Sequence, residues 1–191
     1  MVTSMPISDM PLAQINTSTY HAMVSAGIFS EDDKIELING YLIKKMSVGS
    51  KHTSVVKLLN RLLMLQLNDR AIIGIQDPVT LTEFSEPEPD ISVMRFQADC
   101  YATSHPTPKD ILLLIEVADT SLAFDRNAKI PLYAAADVPE AWLVDLLANE
   151  ITVFRKPEGA VYRESEVFKS GQSIPLPGFA GASIAVSDLG L

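Results

Sequence analysis

The chain has 191 residues, of which 47% are apolar and 20% are charged, and its formal net charge is -9. This composition supports a hydrophobic core and excludes a disordered chain, and we predict a single domain over residues 1–191 with a flexible or extended arm at residues 1–14. The negative charge disfavours a protein that coats nucleic acid by neutralising phosphates over its whole surface.

The N-terminal segment and the single cysteine indicate a cellular compartment. Residues 1–18 contain neither the basic start nor the long apolar stretch of a signal peptide, and Cys100 has no second cysteine with which to pair. No run approaches the roughly 18 to 20 apolar residues that a membrane span needs. We therefore expect a cytoplasmic protein with no disulfide partner and no membrane role.

The first predicted elements are a helix and a hairpin. Apolar residues at spacings of three and four predict a helix over residues 17–28. Two strand-like runs, 35–38 and 41–43, then flank Asn39-Gly40, which is the dipeptide best suited to a type I′ turn. The hairpin places Glu36 on a strand rather than on a loose loop.

A second predicted helix, over residues 53–68, has one apolar face and one basic face. From residue 41 to residue 68 the chain contains no acidic residue. The basic side chains of this segment are Lys44, Lys45, Lys51, Lys57 and Arg61, and His52 lies among them. They could contact a polyanion, or they could form a solvated helix face that acidic neighbours balance, and both interpretations stay open.

The rest of the chain is mostly strand-like. Residues 71–84 predict a strand pair or one bent strand interrupted at Pro78, and the amide of Gln76 could face substrate or belong to a turn. Later strands are predicted at residues 91–94, 111–117, 141–146, 151–154 and 161–168. The helix between the second and third of these is limited by Pro131. This order predicts a mixed α/β (α+β) domain in which one central sheet is flanked by helices.

Glu116 lies near the end of the most apolar run, residues 111–117. An ionised carboxylate there needs a partner, because an unpaired buried charge is costly. If the strands that begin at Ile91 and end at Val117 are antiparallel neighbours, Asp90 lies beside Glu116. Two adjacent carboxylates repel each other unless a cation bridges them. Oxygen ligands without a histidine or cysteine cluster favour Mg²⁺ or Mn²⁺ over zinc, and the carbonyl of Val117 could add another oxygen.

The same residues resemble a known family. Pro89-Asp90, Glu116-Val117 and Lys129 follow the pattern of the Uma-type restriction endonucleases that are abundant in cyanobacteria, within the PD-(D/E)XK nuclease superfamily. The resemblance runs from about residue 15 to residue 180 and includes further motifs at Glu36–Gly40, His52, Asp125, Tyr133 and Val138–Asp145. The superfamily pattern places a lysine where this chain has Ala118, whereas Lys129 matches the family's lysine on the following helix.

The resemblance implies a fold and an activity. The fold would be a restriction-endonuclease-like central mixed sheet flanked by helices, with an additional N-terminal hairpin and C-terminal strands. The activity would be divalent-metal-dependent hydrolysis of DNA by a homodimer, since one active site cuts one strand and a two-fold pair can cut both. The alternative is a non-catalytic protein that retains the nuclease fold as a nucleic-acid-binding or regulatory module.

Site roles also follow from the resemblance. Asp90 and Glu116 would hold Mg²⁺, with Mn²⁺ as a substitute, and Glu36 would bind the metal or its waters. Lys129 would orient the attacking water or stabilise developing charge. Candidate substrate contacts are His52, Gln76, Lys51, Lys57 and Arg61. His52 could instead cap or pack the start of its helix, and Tyr133 and Trp142 are predicted to be core residues.

Overall fold

The structure is a computed structural model that describes residues 12–30 and 33–191. The arm predicted at residues 1–14 lies mostly outside the described residues, and residues 12–16 have no regular secondary structure. No helix within the described ranges has both the length and the hydrophobicity that crossing a bilayer requires.

The described residues form ten strands and four α-helical segments. The strands are β1 (Ile35–Ile38), β2 (Tyr41–Lys44), β3 (Ala71–Gly74), β4 (Ile91–Arg95), β5 (Ile111–Ala118), β6 (Glu140–Asp145), β7 (Glu150–Glu158), β8 (Val161–Lys169), β9 (Ser173–Pro175) and β10 (Ser183–Ala185). The helices are α1 (Thr17–Ser25), α2 (Ser50–Leu67), α3 (Leu122–Phe124) and α4 (Ile130–Ala135), and a π-helical turn at Asp125–Lys129 joins α3 to α4.

Six strands form one mixed sheet in the order β3-β4-β5-β6-β7-β8. The β5–β6 pair is parallel, and the other neighbouring pairs are antiparallel. Strands β1 and β2 form a separate two-stranded sheet, and β9 and β10 form another. The predicted α+β class, with a central mixed sheet, an N-terminal hairpin and C-terminal strands, is confirmed.

Helices cover both faces of the central sheet. Helix α2 packs on one face with Val117 of β5, and α4 packs on the other face with Ala118. Successive residues of a strand point to opposite faces, so Glu116 points to the same face as Ala118, toward α4. The end of β5 thus places an acidic side chain under α4, directly after the π turn that ends at Lys129.

The β1–β2 hairpin forms as predicted. Asn39 and Gly40 have φ values of 49° and 78°, so both central residues adopt the left-handed conformation that a type I′ turn requires. Gly40 also meets a steric limit, since a Cβ atom there would lie 2.6 Å from Cβ of Gln14. The turn therefore depends on glycine for its backbone conformation and for the close approach of the preceding segment.

Both predicted helices differ in extent from the observed ones. Helix α1 ends at Ser25 rather than at residue 28, because the chain turns at Gly27 with φ 68°. Helix α2 begins at Ser50 rather than at residue 53. Leu65 is one of the apolar residues of this helix, yet it is 64% exposed, because it lies about 120° around the helix from the buried Leu59.

The prediction of a strand pair or one bent strand over residues 71–84 is wrong beyond Gly74. Only Ala71–Gly74 pairs with β4, and the rest of the segment is irregular. Gln76 has φ 55°, which turns the chain away from the strand direction just before Asp77-Pro78. This turn brings the Gln76 side chain back toward the start of β4.

Candidate active site

The sheet register places the two predicted metal-binding carboxylates side by side. Ile91 pairs with Ile115 in the antiparallel β4–β5 ladder, so Asp90, one residue before, lies opposite Glu116. Asp90 is 7% exposed and Glu116 is 3% exposed. The juxtaposition expected from antiparallel pairing is present, at the carboxyl end of β5.

Both carboxylate oxygens of Asp90 accept hydrogen bonds. Gln76 Nε2 donates to Oδ1 at 3.0 Å, and Oδ2 accepts from the backbone N–H of Val117 at 2.9 Å and from His52 Nε2 at 3.0 Å. Burial alone would raise the pKa of Asp90, but its contacts with His52, Gln76 and Val117 outweigh burial and lower the pKa. Asp90 is therefore ionised at neutral pH.

Glu116 is in the opposite electrostatic state. Its Oε1 accepts a hydrogen bond from the Tyr133 hydroxyl and lies 3.2 Å from Lys129 Nζ. Burial raises the pKa of Glu116 to about 8, although the Lys129 ammonium acts to lower it and the carboxylates of Asp125 and Asp90 add to the rise. Without a further cation, this carboxyl holds a proton at neutral pH.

Lys129 bridges two buried carboxylates. Its Nζ lies 3.2 Å from Glu36 Oε2 and 3.2 Å from Glu116 Oε1. Burial disfavours the ammonium, yet the carboxylates of Glu116, Glu36 and Asp125 reverse that effect and raise the pKa of Lys129. Glu36 is held in turn by the backbone N–H of Glu88, which donates to Oε2 at 3.1 Å. The lysine is thus a fixed cation beside Glu116.

The π turn is the local feature that brings Lys129 to this position. The N–H of Ile130 donates to the carbonyl of Asp125, five residues earlier, instead of to the residue four positions back. Pro131 cannot donate a backbone hydrogen bond, and the regular helix α4 begins only one residue before it, as the expected limit on this helix implies. Asp125 and Lys129 are both buried on this turn.

Asp125 adds a further acidic group to the site. It is 4% exposed and accepts a hydrogen bond from Ser121 Oγ at 2.5 Å. Burial raises the pKa of Asp125, while the Ser121 hydroxyl and the Lys129 ammonium act to lower it. Asp125 belonged only to the family motif in the sequence, and its burial at the site was not predicted.

The buried acidic residues of the site and Lys129 line one cavity of about 270 Å³. Its acidic residues are Glu36, Glu88, Asp90, Glu116, Asp119 and Asp125, and its lysines are Lys44, Lys45 and Lys129. Lys45 is already paired with Glu88, 3.1 Å from Oε2. Carboxylates outnumber lysines two to one, so the cavity repels a phosphate group unless a further cation neutralises it.

The donor atoms of the cavity fit a hard divalent cation. Asp90 and Glu116 supply carboxylate groups that line the same cavity, and the Val117 carbonyl points to the same side of β5 as the Val117 N–H that binds Asp90. Within the described residues, no three acidic side chains of the cavity bring one oxygen each within 4.8 Å of one another. Asp90, Glu116 and the Val117 carbonyl are therefore the candidate ligands for such an ion, and Glu36 is engaged by Lys129.

The predicted substrate contacts fall into two groups. His52 and Gln76 lie at the site, where both bind Asp90. Lys51 instead donates to the carbonyl of Leu146 at 2.7 Å, and Lys57 and Arg61 are exposed on α2, away from the cavity lining.

Tyr133 is the contact that sequence reasoning missed. It is fully buried, as predicted for a core residue, but its hydroxyl donates to Glu116. Its position four residues after Lys129, on the same helix face, is the signal that could have identified it. Trp142 is a core residue as predicted, with its indole N–H donating to Glu140 at 2.6 Å.

Comparison with known proteins supports a nuclease of this fold. No curated protein matches the chain in sequence. A crystal structure of a putative nuclease of the DUF820 family from Anabaena variabilis superposes with a TM-score of 0.67 and 20% identity, over 92% of this chain and 97% of that one. The sequence profile of Uma2, described as a putative restriction endonuclease, matches residues 17–187, a range that contains every acidic residue and lysine of the cavity. The chain therefore belongs to the Uma2 family of putative restriction endonucleases.

Proposed function

We propose that the protein is a divalent-metal-dependent endonuclease that hydrolyses phosphodiester bonds in DNA. The observation that carries this proposal is Lys129, whose Nζ lies 3.2 Å from Glu116 Oε1 at the carboxylate pair. In the superfamily pattern the lysine stands two residues after the acidic residue, where this chain has Ala118. Here a lysine from the next helix reaches the same acidic group.

Asp90, Glu116 and the carbonyl of Val117 would hold Mg²⁺, and Mn²⁺ would substitute for it. When bound, the ion would neutralise phosphate charge and lower the pKa of water at the scissile bond. The acidic lining supports this role, because a polyanionic substrate needs a cation to enter such a cavity.

The protein groups around the carboxylates orient them and supply positive charge. His52, Gln76 and the N–H of Val117 hold Asp90 in its ionised form. Lys129 would place a fixed ammonium where negative charge develops on the phosphate, or would orient the attacking water. Glu36 contributes by holding Lys129, and it could also bind waters of the metal.

Substrate and assembly extend the proposal. The exposed Lys57 and Arg61 would contact the DNA backbone from α2, and two copies of the chain would be needed to cut both strands. Lys51 would contribute if DNA displaced its bond to Leu146. A cytoplasmic location agrees with DNA as the substrate.

The test is DNA cleavage by purified protein with Mg²⁺ or Mn²⁺, on duplex and single-stranded substrates. Asp90→Asn and Glu116→Gln preserve the shape of each side chain and should lower the cleavage rate by at least about a hundredfold, since each removes a metal ligand. Asp188→Asn is the control, because Asp188 is an exposed carboxylate outside the cavity lining. Absence of cleavage by the unaltered protein under all of these conditions, with no binding of Mg²⁺ or Mn²⁺ by calorimetry, would reject the proposal.

A non-catalytic nuclease-fold module is the second candidate, and the net charge of -9 is the observation that favours it. In that case the protein would bind DNA or a regulatory partner without cutting. Asp90→Ala and Glu116→Ala would then leave thermal stability unchanged or higher and would abolish no cellular phenotype. A phenotype lost in both variants would eliminate this candidate.

A further inference from the structure

A second group of ligand-type side chains lies outside the candidate active site. His21 of α1, Glu86 and His105 each present one ligand atom, and these three atoms lie within 4.8 Å of one another. None of the three residues lines the acidic cavity. The sequence indicated no histidine cluster, because the three residues stand far apart in the chain and only the fold brings them together.

The contacts within this cluster are those of ligands around a shared position. His21 Nε2 lies 2.6 Å from Glu86 Oε1, and the rings of His21 and His105 lie 6.0 Å apart at an interplanar angle of 67°. Glu86 is 2% exposed, whereas both histidines are exposed. A buried carboxylate below two accessible imidazoles leaves a path by which an ion can enter.

The buried carboxylate is held on its other side. Thr80 Oγ1 donates to Glu86 Oε2 at 2.6 Å, which leaves Oε1 for the histidines. The backbone N–H of Glu86 donates to the carbonyl of Leu37 in β1 at 2.7 Å, and the N–H of Thr80 donates to the carbonyl of Pro106, beside His105, at 3.0 Å. A ligating carboxylate oriented by a hydroxyl is a common arrangement in metal sites.

Charge also favours a cation at this place. Among the described residues, His21 is the only ion-pair partner of Glu86. No lysine or arginine there neutralises the buried carboxylate. Two imidazole nitrogens and one carboxylate oxygen form a donor set that suits Zn²⁺ and related transition metals rather than Mg²⁺, and three protein ligands leave a fourth position for water.

We propose that His21, Glu86 and His105 form a transition-metal site that takes Zn²⁺, separate from the Asp90–Glu116 site. Ligands at 2.0–2.1 Å from a tetrahedral zinc ion are about 3.3 Å apart, so His21 and Glu86 need to separate by less than about 1 Å. The ion would join α1 to the segment that carries His105. This site does not depend on nuclease activity and remains testable if the protein cuts no DNA.

The experiment is calorimetric titration of chelator-stripped full-length protein with Zn²⁺, in excess Mg²⁺ to occupy the acidic cavity. The expected result is one equivalent of Zn²⁺ and a rise in Tm of about 5 to 10 °C at a hundredfold excess over Kd. Substitution with Co²⁺ should give the visible absorption of a tetrahedral nitrogen and oxygen site. Binding of no equivalent would overturn the proposal.

Variants locate the ion. His21→Ala and His105→Ala should each weaken Zn²⁺ binding at least about a hundredfold, and Thr80→Val, which removes only the orienting hydroxyl, about 10- to 100-fold. Asp188→Ala is the control, since it removes an exposed carboxylate that belongs neither to this cluster nor to the cavity lining, and it should leave the Zn²⁺ affinity within about twofold.

Folding of the variants is checked by metal-free thermal melts, which should remain cooperative. His105→Ala should melt close to the unaltered protein because His105 is exposed, whereas His21→Ala and Thr80→Val each remove a hydrogen-bond partner of the buried Glu86 and should melt at a lower temperature. Should one alanine variant fail to fold, His105→Gln and Thr80→Val still decide the question. Zn²⁺ affinity unchanged in His21→Ala and His105→Ala, or in this second pair, would assign the binding to another place and reject the site.

Discussion

At the scale of single residues, the candidate site is built from two carboxylates in different states. Asp90 accepts three hydrogen bonds and stays ionised, whereas Glu116 is buried with a phenol and an ammonium and holds a proton to about pH 8. A cation between them would remove the difference, because it would favour the ionised form of Glu116. Burial of these acidic groups lowers the stability of the metal-free protein, and a bound cation would offset that loss.

The first prediction is a pH dependence of stability in the presence of a chelator. The pKa of Glu116 is raised in the folded chain from its ordinary 4.5 to about 8. Between these values the folded chain keeps a proton that the unfolded chain has released, so the free energy of unfolding falls as pH rises from 4.5 to 8 and levels off above 8.

The measurement for this prediction is urea denaturation of the protein and of Glu116→Gln between pH 5 and pH 9. The contribution of Glu116 should be at most about 1.4 kcal/mol per pH unit, and the glutamine variant should lack that slope. Identical slopes in the two proteins would show that Glu116 titrates normally.

The second prediction concerns the Tyr133 hydroxyl. Tyr133→Phe removes a buried donor to Glu116 and should lower the free energy of unfolding by about 1 to 2 kcal/mol, together with a reduced cleavage rate. Tyr162→Phe is the matched control, because its hydroxyl donates to the carbonyl of Val138 at 2.9 Å, away from the cavity. An equal loss of cleavage in Tyr133→Phe and Tyr162→Phe would show that the Tyr133 hydroxyl has no specific role in cleavage.

At the scale of elements, the sequence predicts what depends on short-range pattern. Asn39-Gly40 identifies the hairpin, and the apolar run before Glu116 identifies β5. The pairing of β4 with β5 then follows from topology, and it brings Asp90 to Glu116. The irregular turn after β3 could not be predicted from the sequence. Tertiary structure determines its conformation, which includes the contact between Gln76 and Asp90.

Other parts of the site depend on helix register and on contacts between distant segments. In the sequence, Tyr133 is indistinguishable from an ordinary core residue. Only the structure, in which the π turn sets the position of α4, shows that its hydroxyl reaches Glu116. The cluster of His21, Glu86 and His105 likewise has no spacing that a sequence motif describes. Patterns of period two and 3.6 identify strands and helices, but they do not specify which side chains meet across them.

The third prediction tests the hairpin that carries Glu36. Gly40→Ala forces an L side chain into φ 78° and places its Cβ 2.6 Å from Gln14, so it should destabilise the protein by about 1 to 3 kcal/mol and reduce cleavage. Gly159→Ala, in the β7–β8 turn, has φ 59° and no atom within 4 Å of the new Cβ. This control should lose only the stability that a positive φ costs an alanine, and it should cleave DNA at the unaltered rate. Thermal melts and cleavage rates measure the two effects.

At the scale of the whole molecule, an acidic protein must present a local basic surface to bind DNA. The net charge is -9, yet Lys57 and Arg61 lie exposed on α2. This helix belongs to a stretch of the chain, residues 41–68, that contains no acidic residue. Attraction to phosphate would then be confined to this face and to the cation at the site. The affinity should fall only gradually as salt rises, because few phosphates are neutralised and the salt dependence is proportional to their number.

The fourth prediction follows from this distribution. Lys57→Ala and Arg61→Ala should each reduce the slope of log Kobs against log salt by about 0.9, if each side chain neutralises one phosphate. Fluorescence anisotropy with labelled duplex DNA in Ca²⁺, at several salt concentrations, measures the slope. Lys109→Ala, an exposed lysine outside this segment, serves as the control, and an unchanged slope in both α2 variants would place the DNA elsewhere.

The proposed site combines a metal ion with a lysine supplied by the π turn, and Lys129→Met tests both parts in one experiment. We predict that the unaltered protein cleaves duplex DNA with Mn²⁺, and that the variant loses at least about a hundredfold in single-turnover rate while it still binds Mn²⁺. Lys109→Met should cleave at the unaltered rate. Cleavage by Lys129→Met at the rate of the unaltered protein would show that Lys129 takes no part in the reaction.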